Sequence, residues 1–300
     1  MARRGSVISG LTAGAVVVLL AHAVLAAQVA APAAPTRESV LYDAANSLGM
    51  LRDVEEEDSI TSQEVWAEGT MSVDGQTFRV TDYRLSLNYY VTGMRVDITR
   101  ASAGGGAPER HIEVVAGELA WNETEPGRYA TAAPDTVRER LVQYWTNPIG
   151  VVKAAVAAGD AAEVTREGDN IVLTFPLPAP VDDVTMKATL RRDNSLFVYW
   201  ASEPEAQARI RDRTLPMYPL MEGLVGTYIT RVETQLGDTV TETTYSEYGD
   251  WNVDDNKADV MWPRRIVQMR GDVTVLDLRV TLTNTYNPYV VMRVQEALRN

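Results

Sequence analysis

Few residues of this 300-residue chain combine reactive types with a spacing that does chemistry. Asp250-x-Asn252-x-Asp254 opens like a calcium loop of the EF-hand type. That loop needs a glycine at position six for its sharp turn and a bidentate glutamate at position twelve. Here those positions hold Asp255 and Met261, so the cage does not close in that form and the stretch reads as an acidic turn. The two histidines, His22 and His111, cannot supply the three or four ligands a zinc ion takes. Cysteine is absent, which excludes a disulfide framework, a thiolate metal site and a cysteine nucleophile. There is no Gly-x-Ser-x-Gly elbow to expose a serine nucleophile. Carboxylates are plentiful but scattered, and no pair stands out as an acid and its base. Asn122-Glu123-Thr124 fits a glycosylation sequon, a pattern short enough to arise by chance. The chain is therefore expected to be no enzyme and to need no cofactor or metal.

The residues that remain are apolar and polarisable: six Trp, 13 Tyr and 10 Met. Such side chains line adaptable pockets, though each can equally fill a core. Trp66, Met71, Tyr89, Met94, Trp121, Leu141, Tyr144, Trp145 and Val152 are the candidate walls of a hydrophobic cavity. Trp121 and Trp145 lead the set because they flank a predicted helical insertion. With 28 basic against 41 acidic residues, a formal charge of −13, nucleic acid is excluded as a partner because phosphate contacts need a basic face.

The elements that must position these residues begin with an export address. Arg3 and Arg4 precede an apolar run, residues 7–27, with small-residue cleavage patterns at its end. The run is also long enough to span a bilayer. It is thus a signal peptide, placing the protein in the periplasm or outside the cell, or an uncleaved inner-membrane anchor and the one point of membrane contact. An Ala/Pro linker occupies 28–35, and 36–300 reads as a single domain.

Val40, Leu41, Ala44, Ala45, Leu48 and Leu51 recur at three- and four-residue steps, predicting a helix capped by Thr36. The period then switches to two through Val65–Met71, Phe78–Tyr89 and Met94–Ile98, with a hairpin signal at Asp74-Gly75. Asp135 is placed as the cap of a second helix, Asn147-Pro148 breaks it, and a third runs from Ile149 to a stop at Gly159. Strands resume at Ile171, Val184, Tyr228, Val240, Arg265 and Val273, while 202–226 reads as an insertion. No strand–helix–strand alternation or phosphate-binding glycine loop occurs. The expected fold class is α+β: one large curved antiparallel sheet, an unclosed half-barrel, with helices packed on its concave face.

Several ordered segments carry a resemblance: Ala120-Trp121-Asn122, Trp145-Thr146-Asn147-Pro148 to Lys153-Ala154-Ala155, Gly237 to Tyr248, Trp262 to Gln268 and Val275 to Val280. Together they resemble an exported bacterial domain that precedes metallo-β-lactamase-fold hydrolase domains, itself similar to the LolA/LolB lipoprotein carriers. The resemblance covers roughly residues 41–287 and implies an unclosed barrel with a helical lid that holds acyl chains. The hydrolase's own metal motif, H-x-H-x-D-H, is absent from this sequence. The implied partner is a lipid or other apolar small molecule. The alternative is an accessory domain serving a separate or fused hydrolase, with no ligand of its own.

Overall fold

The computed structural model describes residues 34–52, 57–102, 104–193, 226–251, 260–285, 292–294 and 298. The apolar run 7–27, most of the linker 28–35, the insertion 202–226 save its last residue, and Asn252 and Asp254 of the calcium-like turn lie outside these residues.

After helix α1 (Arg37–Ser47) comes a short ribbon of β1 (Leu51–Arg52) and β2 (Glu57–Asp58). A first meander follows: β3 (Ser62–Val73), β4 (Gln76–Asn88), β5 (Gly93–Ser102), β6 (Glu109–Ala116), β7 (Leu119–Glu123) and β8 (Thr131–Ala132). Helices α2 (Val137–Trp145) and α3 (Pro148–Ala158) connect it to a second meander. That one comprises β9 (Glu163–Glu167), β10 (Asn170–Pro176), β11 (Thr185–Asp193), β12 (Gly226–Leu236), β13 (Thr239–Asp250), β14 (Met261–Arg270) and β15 (Val273–Asn284).

The two meanders join into one 13-stranded antiparallel sheet in the order β8-β7-β6-β5-β4-β3-β15-β14-β13-β12-β11-β10-β9. This corrects the expected α+β class. The architecture is a mainly-β one, because the three α-helices are only 11, 9 and 11 residues long against thirteen strands. The sheet does not close, since β8 and β9 end it without pairing to each other.

The strand order explains where the helices lie. The chain builds outward from the centre to edge strand β8 and must then reach β9 at the opposite edge. The α2–α3 segment makes that crossing, so it lies across one face. The same contacts require the sheet to curl. Arg140 of α2 donates to the Trp121 carbonyl of β7 at 2.7 Å, while Tyr245 of β13 donates to the Thr146 carbonyl at the other end of α2 at 3.0 Å. Seven strand spacings separate β7 from β13, about 34 Å in a flat sheet at ~4.8 Å each, against about 14 Å for a nine-residue helix. Register shifts at Ala67/Gly69, Val80/Asp82 and Val280/Leu282 sit in three adjacent strands, and such bulges bend and twist a sheet.

Local signals agree with the helix positions. Thr36 and Ser39 form a reciprocal capping box on α1. The Asn147 side chain accepts from the Gly150 N–H at the start of α3, with Pro148 in its first turn. Gly159 ends α3 at φ 55°. Asp135, placed as a cap from the sequence, instead falls inside a 3-10 turn, Pro134–Thr136, that leads into α2. The main core joins α1, α2, α3 and the inner sheet face through Val40, Leu48, Leu141, Ile149, Val152, Leu173, Phe175 and Ile229. A second, smaller cluster of Ile112, Val114 and Trp121 lies on the outer face, with Met292, Val294 and Leu298 against it.

Candidate functional site

Beneath α3 the interior is filled, but beside α2 it is not. A cavity of about 600 Å³ separates that helix from the inner sheet face. Thr136, Glu139, Arg140, Gln143 and Thr146 line it from above. Their three- and four-residue steps make them one face of the helical segment. Below, strand alternation delivers Tyr83 of β4, Val96 and Ile98 of β5, Met71 of β3 and Leu276 of β15. Met71 pairs with Leu276 across β3 and β15, and Tyr83 with Ile98 across β4 and β5, so the apolar floor is built from two cross-strand pairs. Thr234, Thr241, Gln268 and Arg270 form the wall on the second meander. The Ser72–Asp74 end of β3 completes the rim.

The lining is amphipathic rather than uniformly apolar. Arg140 is only 4% exposed, and both of its terminal nitrogens donate hydrogen bonds. It donates to the Val114 carbonyl at 2.9 Å, the Trp121 carbonyl at 2.7 Å and Asn122 Oδ1 at 2.5 Å, which pins α2 to β6 and β7. Its Nε lies 3.9 Å from Glu113 Oε2, and His111 Nε2 is 2.9 Å from Glu113 Oε1. The hydrogen bond from His111 is the largest influence on Glu113. With the positive charges of Arg140 and Arg100 it holds that carboxyl below the usual range, against the opposing effect of desolvation. At the outer turn of α2, Glu139 pairs with Arg270 at 2.5 Å. Burial raises the Tyr83 phenol well above its ordinary value, so it stays protonated at any physiological pH.

The candidate cavity residues separate into four groups. Met71 alone lines the cavity, where Arg100 Nη1 lies 3.9 Å from its sulfur. Met94, Leu141, Tyr144 and Val152 are sealed in the main core. Tyr89 and Trp145 pack against that core on either side of Tyr144, with ring centroids 5.5 and 4.6 Å from it. Trp66 and Trp121 point to the other face of the sheet. The guanidinium of Arg84 lies 5.1 Å from the Trp66 ring centroid, and the Trp121 indole N–H donates to Glu123 Oε1 at 2.9 Å. The sequence reasoning missed Arg140, Glu113, Gln143 and Gln268, because polar residues were not sought in a cavity expected to be apolar. Tyr83, Val96 and Ile98 were readable as one strand face but not as floor.

Among the described residues no group of three or more His, Cys, Asp or Glu side chains could hold a metal ion. Among those residues no helix is long and apolar enough to cross a membrane.

No family model and no curated protein matches the chain. Among solved structures, a LolA superfamily protein from Nitrosomonas europaea is similar at 12% identity and a TM-score of 0.40, over 83% of this chain and 93% of that one. A porin-like protein from Bacteroides uniformis is similar at 9% identity and a TM-score of 0.21, over 75% of this chain and 95% of that one. Neither of these two likenesses supports the hydrolase context suggested by the sequence resemblance. Likenesses this distant carry no statement about a ligand, and what this protein holds has to be read from its own cavity.

Proposed function

We propose that this is an exported, non-enzymatic protein that shelters a lipid or other hydrophobic ligand between α2 and the inner face of the sheet. The observation that carries the reading is the 600 Å³ cavity between α2 and the inner sheet face, floored by Met71, Tyr83, Val96, Ile98 and Leu276. That volume falls within the ~300–1,000 Å³ of small-molecule sites. Export is supported by the basic start at Arg3-Arg4 and the apolar run behind it. Burying a dozen methylenes gains about 10 kcal/mol at ~0.8 each, while association costs ~4–15 kcal/mol. A chain alone would be held weakly, so the polar wall has to contribute. The test is native mass spectrometry of the purified protein before and after solvent extraction, followed by reloading. A lipid-sized adduct is expected that is removed by extraction, restored on reloading, and missing from Val96→Trp, which fills the floor. Failure to hold or take up any apolar molecule would reject the reading.

A further inference from the structure

The polarity of the cavity wall, taken with the sheltering reading on which this inference rests, says what the polar end of the ligand must be. We propose that the cavity selects an amphiphile whose polar end is uncharged, with hydroxyl or ester groups, over one ending in a carboxylate or an ammonium.

Charges lie along the wall, but those within it are already matched. Glu113 is held by His111 and Arg140, and Glu139 by Arg270. Both terminal nitrogens of Arg140 already donate, to two backbone carbonyls and to Asn122. The remaining charge, Asp74, stands exposed at the β3–β4 turn. Among the lining residues a carboxylate entering this space would meet no unpaired cation and would have to take Arg270 from Glu139. An ammonium would have to take Glu113 or Glu139 from its arginine. Taking Glu113 leaves the buried Arg140 guanidinium without its carboxylate, which is costly, whereas the half-exposed Glu139–Arg270 pair is lost at a smaller penalty.

Neutral hydrogen-bonding groups, by contrast, are available. The half-buried Gln143 amide faces the cavity from α2, with both donor and acceptor capacity and no partner among the described residues. Across from it, Thr234 and Thr241 are register partners on the sheet wall. Hydroxyls accept or donate by rotating, so this pair and Gln143 can bracket a glycerol-like or ester group without moving any charge.

The experiment titrates the extracted full-length protein with three twelve-carbon probes, monolaurin, laurate and dodecylamine, by calorimetry at about pH 8, where laurate is ionised and the amine protonated. Monolaurin is expected to bind at least about tenfold more tightly than either charged probe, equivalent to ~1.4 kcal/mol. Glu139→Gln, which frees Arg270, is expected to improve laurate binding about tenfold, and Gln143→Glu to improve dodecylamine binding, with thermal midpoints confirming that both variants fold. Laurate or dodecylamine binding as tightly as monolaurin would overturn the selectivity while leaving the sheltering reading intact. Silence from all three probes would overturn both.

Discussion

The tightest constraints at the scale of single residues surround Glu113 and Arg140. Arg140 is a buried cation whose donors satisfy the ends of two strands, so it acts as a rivet between helix and sheet more than as a charge. Glu113 has a depressed native pKa, chiefly through His111. A carboxylate lowered in the folded state contributes stability that is full above its unfolded value, about 4.3, and is lost as pH falls through the native value. Glu113→Gln removes that contribution. The stability gap between wild type and variant is therefore expected to shrink as pH falls below ~4.3. Urea melts from about pH 5 downward check it, and a gap that fails to shrink there would contradict the assignment. This cluster was not legible beforehand: His111 reads as a lone strand histidine, and its meaning depends on Glu113 two residues on, facing the same way.

At the scale of elements, caps and turns were legible because their signals are local. Thr36, Asp74-Gly75, Asn147-Pro148 and Gly159 all act where they were expected to act. Strand faces were less legible. Trp66 and Trp121 sit in alternating patterns that are apolar on both faces, and which face meets the helices depends on pairings far away in the chain. The helical class was overestimated because the three helices read from the sequence carry much of the core yet few residues. Gly69 marks where β3 meets β15 most closely. A Cβ there would stand 2.0 Å from the Asp277 carbonyl oxygen and 3.0 Å from Leu278 Cα, both backbone atoms. Gly69→Ala is expected to cost about 2 kcal/mol or more, because backbone must shift. It should read as a lower urea midpoint at unchanged slope. An unaltered midpoint would mean that the bulge relaxes freely.

For the whole molecule, the order of the sheet sets the folding problem. The central seam joins β3 near the start of the domain to β15 near its end, with Ala67 opposite Val280. Every other strand pair is a neighbour in sequence. Closing the largest loop last is slow, and refolding is expected on the scale of a second or longer. Stopped-flow tryptophan fluorescence would show it, and millisecond refolding would argue that the seam forms without waiting for the two meanders. The cavity belongs to this scale as well, since its floor lies on the first meander, its Thr234 and Thr241 wall on the second, and Met71 and Leu276 on the seam itself.

The seam has a mechanical side. Because β3 and β15 run antiparallel, Glu64 lies opposite Asn284 and Met71 opposite Leu276, so the N-terminal end of one strand sits beside the C-terminal end of the other. Tension applied between Ser62 and Asn284 would load the ladder one rung at a time, peeling it like a zip instead of shearing all its bonds together. A sheet so broad is thus weakest under tension along its own middle, where parting two strands would also split the hollow beside α2 open along its length.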